Sequence, residues 1–335
     1  MADGGHVPVL MEKVLEALAP VDGGVYVDGT YGGGGYTRAL LAIADAKVLA
    51  VDRDPDAMER AWAHAGKDDR VRPAPGCFGE LDLATRAAGH EYVDGVMLDL
   101  GVSSYQLDQA PRGFSFMRDG PLDMRMAQRG VTAADAVNLL GERDLTAIFH
   151  YYGEEPGARR MAKAIINRRA AEPFVRTLDL AELAERVLGS KRGKRAHHPA
   201  TRIFQALRLY VNDELGELVR ALSAAESVLS PHGRLVVVTF HSLEDRIVKS
   251  FLRARSGHAP GGSRHAPETP KGAPASFELL ARKALEPSDA EVSANPRARS
   301  ARLRWALRTE APGWGEAAED GFGAPDLKTL ERLKA

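Results

Sequence analysis

Short apolar runs ending in or next to an acid recur through the first third of the chain. Val25 to Asp28, Lys47 to Asp52 and Val93 to Leu100 are three of them, each of a length suited to a strand buried on both faces. Amphipathic stretches separate the runs, at Thr37 to Ala44, Pro55 to Ala65 and Leu81 to Ala88. Strands alternating with helices predict a doubly wound, mostly parallel α/β sheet of the Rossmann-like kind. Gly233-Arg-Leu-Val-Val-Val-Thr-Phe240 is a later β-branched run that extends the same sheet, and Phe277 to Leu285 with Ala301 to Arg308 predicts a terminal strand pair.

About 130 residues separate the run ending at Leu100 from the one starting at Gly233, far more than a βα crossover needs. Ile203, Phe204, Leu207, Val211, Leu215, Leu218 and Leu222 keep helical spacing and predict one long amphipathic helix from about Thr201 to Leu229. Helical patterning recurs near 132–150, 157–171 and 179–188. The expected organisation is a sheet domain from residues 1–105 and 198–310, a helical insertion at 106–197 suited to RNA recognition, and a tail at 311–335. Ser256 to Ser276, rich in Gly, Pro, Ala and Ser, reads as a mobile loop.

Composition narrows the class. The 335 residues are 44% hydrophobic and 27% charged, an ordinary globular balance. They contain no apolar stretch of about twenty residues that could span a bilayer. Met1 to Leu10 has neither the basic start nor the apolar core of a secretion signal. A single cysteine, Cys77, excludes an internal disulfide and a cysteine-built metal site. A cytoplasmic protein is the expectation. The net charge of −1 argues against indiscriminate nucleic-acid binding, yet residues 156–171, 186–202 and 295–309 are rich in Lys and Arg without one acid. Such blocks are either solvated helix faces or a surface for a polyanion.

Asp28-Gly-Thr-Tyr-Gly-Gly-Gly-Gly-Tyr-Thr37 stands where the first strand turns into the first helix. Glycines let a backbone approach a ligand closely, and a helix start offers unpaired N–H groups. Dinucleotide, ATP and S-adenosylmethionine sites all use this geometry. The spacing G-x-G-x-x-G cannot be fitted to the loop, which counts against NAD, and no Lys-Ser or Lys-Thr follows, which excludes a P-loop. Asp52 ends the second run, where an acid can accept hydrogen bonds from both ribose hydroxyls or merely cap the next helix. Phe78, just past the position expected of a further strand, could pack against an adenine ring or simply fill the core.

Asp99-Leu-Gly-Val-Ser-Ser-Tyr-Gln106 follows the next strand, at the carboxyl end where reacting groups collect in open α/β sheets. Methyl transfer proceeds in line to a nucleophile about 3 Å away, so positioning supplies most of the rate. Methylation at cytosine C5 usually needs a cysteine nucleophile, and Cys77 stands near the expected adenine end instead. An exocyclic amine needs only acceptors that free its lone pair. Asp99, Ser103 and Ser104 are the candidates, because the chain has no Pro-Pro after this strand. His241, in Phe240-His-Ser-Leu-Glu-Asp-Arg246, ends the last parallel run and is either a proton shuttle or a structural histidine. No histidine spacing suggests a metal.

At these residues the sequence resembles the bacterial 16S rRNA cytosine-N4 methyltransferases, the RsmH (MraW) family. The likeness runs from His6-Val-Pro-Val-Leu10 through Leu98-Asp-Leu-Gly-Val-Ser-Ser104, Arg112-Gly-Phe-Ser-Phe116, Pro121-Leu-Asp-Met-Arg-Met126, His198-Pro-Ala-Thr-Arg202 and Val211-Asn-Asp-Glu-Leu215 to Asn295-Pro-Arg-Ala-Arg-Ser300. The resemblance implies a class I methyltransferase sheet with a helical insertion, S-adenosylmethionine as cofactor, and methylation of a decoding-centre cytidine at N4. It carries cofactor contacts onto Gly34, Gly35, Tyr36, Asp52, Phe78, Asp99 and Gln106, with Tyr36 standing where relatives often have His. Arginines mixed with aromatics suit unpaired RNA, which makes Arg112, Phe114, Phe116 and Arg125 candidates beside Lys191, Arg192, Lys194, Arg195 and Arg202. Arg202, Gln205, Arg208 and Asn212 form a polar stripe on the long helix and are a weaker candidate face. The partner implied is 16S rRNA within the small ribosomal subunit, with a homodimer left open. Competing readings are a methyltransferase for DNA or protein, and a non-catalytic assembly factor that keeps the fold.

Overall fold

A computed structural model of the chain describes residues 8–189, 198–257, 273–317 and 325–335. Contacts divide the chain into two compact units, 1–101 with 215–318 and 102–214 with 319–335. The first is the α/β unit. Its seven strands are β1 (Val25–Asp28), β2 (Lys47–Asp52), β3 (Val71–Pro75), β4 (Val93–Asp99), β5 (Leu229–Thr239), β6 (Phe277–Leu279) and β7 (Arg302–Arg308). They line up as β3-β2-β1-β4-β5-β7-β6. β3 to β5 run parallel, whereas β7 is antiparallel to both neighbours. This is the doubly wound, mostly parallel α/β sheet expected from the alternating pattern.

Both faces of the sheet are covered, which is why its central strands read as continuous apolar runs. Tyr26, Met97, Val236 and Val238 point into one core with Leu18, Leu40 and Met58. Their chain neighbours Val27, Val96, Leu98 and Val237 point into the other, with Leu81, Leu222 and Phe251. β3 has no such signature. Its Val-Arg-Pro-Ala-Pro sequence carries two prolines, and it lies at the sheet edge, where missing N–H donors are tolerated.

Three expectations are corrected. The helix expected from Thr201 to Leu229 is two helices, Ala200–Val211 and Glu214–Val228. Between them Asp213 takes a left-handed φ of 48°, a conformation that Asp adopts more readily than most residues. The Asn212 side chain takes part by donating to Arg208 O at 2.9 Å, a local bond that competes with helix continuation. The patterning at 132–150 likewise splits into Ala133–Leu139 and Glu142–Tyr151, with Gly141 as the second N-cap. Finally, the unit boundary falls after Glu214 rather than at 197/198, and the tail does not stand apart.

The second unit is helical. Ala133–Leu139, Glu142–Tyr151, Ala158–Arg169, Thr177–Leu188 and Ala200–Val211 enclose Leu145, Ile148, Phe149, Ile165, Phe174, Leu180, Ile203 and Leu207, all fully buried. The terminal helix Leu327–Lys334 completes it, with Leu330 buried and Lys334 paired to Asp135 at 2.7 Å. Among the described residues, no helix is long and apolar enough to cross a membrane. Most of the loop expected at 256–276 lies outside the described residues.

Candidate cofactor and catalytic site

The carboxyl ends of β1, β2 and β4 bring three acids to one edge of the α/β unit. Asp28 closes β1 and is buried. Its Oδ2 accepts from Thr37 Oγ1 at 2.6 Å and its Oδ1 from Thr30 N at 3.3 Å. Burial dominates over these bonds and pushes its carboxyl up to about 6. The glycine loop follows. Gly34 sits at a φ of 70°, and a Cβ there would lie 2.4 Å from the Tyr31 hydroxyl. Only glycine meets both demands.

Asp52 closes β2 and holds the loop from the other side. Its Oδ2 accepts from Gly32 N at 2.8 Å and its Oδ1 from Asp54 N at 2.9 Å, so each oxygen keeps a lone pair for another donor. Burial raises its carboxyl against those two bonds. The capping alternative falls to the next acid: Asp54, not Asp52, accepts from Asp56 N and caps Pro55–Ala65.

Asp99 closes β4, two residues beyond the Met97 that pairs with Asp28. Its N–H donates to Thr30 Oγ1 at 2.7 Å. Its Oδ1 is buried and has no hydrogen-bond partner among the described residues. Burial, with lesser contributions from Asp28 and Glu244, raises its carboxyl well above the ordinary range. A buried carboxylate oxygen without a donor is costly and invites a cationic or N–H-bearing ligand.

Residues 3–309 match the MraW methylase family. Ribosomal RNA small subunit methyltransferase H of Hyphomonas neptunium is 56% identical over 333 residues, covering 99% of this chain and 97% of that protein. The protein of the same name from Caulobacter vibrioides is 58% identical over 318 residues, 95% of this chain and 100% of that protein. The chain belongs to the MraW methylase family.

Within this MraW-family chain the other candidates fall into different settings. Phe78 opens a single 3-10 turn after β3 and packs, partly buried, against the core that holds Leu98. The Tyr36 hydroxyl is turned away to donate to Val9 O at 2.5 Å. Gly35 packs so closely on Pro8 that a Cβ would lie 2.3 Å from it. His241 caps the helix Ser242–Arg255, its Nδ1 accepting from Glu244 N at 3.4 Å while Glu244 Oε2 accepts from Phe240 N at 2.8 Å. His241 Nε2 is buried, 3.0 Å from Glu244 Oε1 but off the line of a hydrogen bond. Burial also raises the Cys77 thiol.

In the helical unit, Ser103 and Gln106 form a reciprocal capping box. Ser103 Oγ accepts from Gln106 N at 3.2 Å and Gln106 Oε1 accepts from Ser103 N at 3.0 Å. Ser104 is the first residue of that short helix. Arg112 donates to Arg125 O and Met126 O, both at 3.0 Å, and lies over the buried Phe114 ring. Arg125 pairs with Asp123 at 2.6 Å. Phe116 is only partly buried, its ring 4.7 Å from His198 and 5.1 Å from Phe204. Arg202 is half exposed and reaches Glu154 O at 2.9 Å. Lys191, Arg192, Lys194 and Arg195 lie outside the described residues.

The polar stripe is corrected at three of its four positions. Arg208 forms a two-pronged pair with the buried Glu214 at 2.7 and 2.9 Å. Asn212 is buried, accepting from Met126 N and donating to Met124 O, each at 2.8 Å. Gln205 donates to Tyr152 O. Polar residues at helical spacing here serve packing inside the unit, not a solvated face. The blocks free of acid in sequence are also partly compensated in space: Arg302 and Arg304 share Asp245, and Arg168 meets Glu172 and Asp179.

Thr30, Thr37 and Glu244 escaped sequence reasoning. Ser-x-x-Gln ahead of a helix is a legible capping pattern and would have pointed to Ser103–Gln106; histidine is not among the preferred N-cap residues, so the sequence carries no such mark for His241–Glu244. Nothing in the sequence marks Thr30 as the partner of Asp99.

Proposed function

We propose that this chain transfers a methyl group from S-adenosylmethionine to the exocyclic N4 of a cytidine in the decoding centre of 16S rRNA. The partnerless, buried Oδ1 of Asp99 carries this reading, because it is the acceptor that an amine nucleophile requires. When bound, S-adenosylmethionine supplies an electrophilic methyl on a cationic sulfonium. The residues present fit such a ligand. Asp52 has a lone pair on each oxygen for the two ribose hydroxyls; Gly34 and Gly35, which pack on Tyr31 and Pro8, are cofactor contacts carried over from the family pattern. Phe78 offers an apolar face for adenine. Tyr36 and Gln106 are further cofactor contacts carried over from the family pattern.

A cation beside Asp28 and Asp99 favours their ionised forms, so Asp99 becomes the carboxylate that accepts an amine N–H and leaves the nitrogen lone pair free. Ser103 and Ser104 are secondary acceptors and His241 a candidate for carrying the proton away. The raised Cys77 thiol supports the amine over the ring carbon, since C5 chemistry requires a thiolate. The names of the relatives support small-subunit rRNA as the substrate. We place the reaction in the cytoplasm, with Phe116, Arg202 and the 191–195 cluster as RNA contacts; Phe114 is buried, and Arg112 and Arg125 are held by internal partners.

Nucleoside mass spectrometry of 16S rRNA from a deletion strain tests the reading. N4-methylated cytidine should vanish and return when the purified protein and S-adenosylmethionine are added to the strain's small subunits. Undiminished N4-methylation after deletion overturns it. Restoration by an Asp99→Ala chain would assign the acceptor elsewhere.

A further inference from the structure

We infer that the α/β unit carries a second RNA contact, a phosphate-backbone site built from residues other than those proposed for methyl transfer. This inference rests on RNA being the substrate. A small hollow lies among the helix Ser242–Arg255, the segment after β6, and β7. Lys249, Arg253, Arg282 and Lys283 line it, together with Arg304 and Trp305. Lys249 and Arg253 stand four residues apart and so share one helix face; Arg282 and Lys283 approach from a separate segment.

Charge pairing distinguishes this cluster from the basic blocks visible in the sequence. Arg304 is neutralised by Asp245 at 2.7 Å. The other four cations are exposed, and none has an acidic partner among the described residues. Four like charges converge from two elements in a chain whose net charge is −1. Such an arrangement works against the fold and fits an external anion. The hollow has little room inside, so it suits a group that rests on its charged rim and stays partly hydrated. Charge dominates its rim, whereas protein–protein interfaces are depleted of charge at their centres. Two of the four are arginines, whose planar forks match phosphate oxygens bidentately. A phosphodiester backbone satisfies all of these features.

The test compares the wild-type chain with a Lys249→Gln, Arg253→Gln, Arg282→Gln, Lys283→Gln variant. A control carries Lys13→Gln, Lys47→Gln, Lys67→Gln and Arg86→Gln, which changes net charge equally elsewhere on the same unit. Binding to an unmethylated 16S rRNA transcript and to small subunits from the deletion strain is followed from 50 to 300 mM salt. Each phosphate contact contributes about 0.7 to 0.9 to the log–log salt slope, so the first variant should lose about 3 from its slope and the control almost nothing. S-adenosylmethionine affinity and Tm should not fall in the first variant, which separates lost binding from lost folding. A slope equal to the control's, with wild-type RNA binding intact, overturns this site and leaves the proposed function standing. Lost binding of a poly-glutamate peptide with RNA binding retained also overturns it, in favour of an acidic protein partner. Absence of RNA binding by the wild type would instead refute the proposed function itself.

Discussion

Thr30 Oγ1 accepts the Asp99 N–H at 2.7 Å, and this one bond ties the glycine loop after β1 to the last residue of β4. The loop that is proposed to cradle the cofactor therefore also sets the backbone beneath the proposed amine acceptor. Thr30→Val keeps the shape and removes the acceptor, leaving an N–H in a part-buried site. It should cost about 1 to 3 kcal/mol of stability, read by urea denaturation. Turnover should fall more than cofactor affinity does. An unchanged turnover number would show that the position of Asp99 does not depend on Thr30.

Asp28 gives the pH dependence. Its carboxyl is raised from 3.8 to about 6 by burial, so the folded state favours the neutral acid. The stability this contributes is fully present below about pH 4 and is lost as pH rises through 6, on the order of 3 kcal/mol in all. Without ligand, the part of the stability profile due to Asp28 should therefore decline between pH 4 and 7. Asp28→Asn should remove that decline. S-adenosylmethionine, a cation, should bind more tightly at pH 7.5 than at pH 5. Calorimetry across this range checks both, and pH-independent affinity would place the cation away from these acids.

Substituting Asp52 tests whether cofactor binding separates from chemistry. Asp52→Ala removes the acceptor for Gly32 N and Asp54 N as well as the proposed ribose contact. Its Kd for S-adenosylmethionine should rise at least tenfold, about 1.4 kcal/mol, with turnover at saturating cofactor less affected. Asp99→Ala should show the opposite balance. Equal effects on Kd and turnover in both variants would mean that the two acids do not divide the work.

The strands of the sheet were legible because burial on both faces writes itself as unbroken apolar runs, and β1, β2 and β4 fall where those runs end in Asp28, Asp52 and Asp99. β3 was placed only by implication, since an edge strand with Pro73 and Pro75 has no alternation to read. The roles that stayed hidden all depend on partners distant in the chain. Arg304 looks free in sequence and is spent on Asp245; Asn212 looks solvated and is buried against Met124 and Met126. Helical spacing reports which residues share a face, but not what covers that face.

His241 can be assigned by a substitution that keeps its cap. Asn is among the best N-cap residues, so His241→Asn preserves the cap on Ser242–Arg255 while removing the imidazole. A capping histidine predicts near-wild-type Tm and turnover for His241→Asn, with His241→Ala about 1 kcal/mol less stable. A proton-carrying histidine predicts an intact fold with turnover reduced about 100-fold or more and an altered pH–rate profile. The geometry of Nδ1 on Glu244 N favours the first outcome.

Arg208 and Glu214 provide the last test, because Glu214 is buried and losing its partner costs the fold far more than losing a surface contact does. Glu214 is 6% exposed and receives both guanidinium prongs. Arg208→Ala leaves that carboxylate uncompensated and should destabilise the helical unit by about 3 to 5 kcal/mol, whereas an exposed RNA-binding arginine would cost the fold almost nothing. Arg208→Ala with Glu214→Gln should recover part of the loss, since the stranded charge is then gone. The salt slope for RNA binding should stay at its wild-type value in any variant that remains folded. A stable Arg208→Ala chain with a shallower slope would return Arg208 to the RNA face and break the internal role assigned to it here.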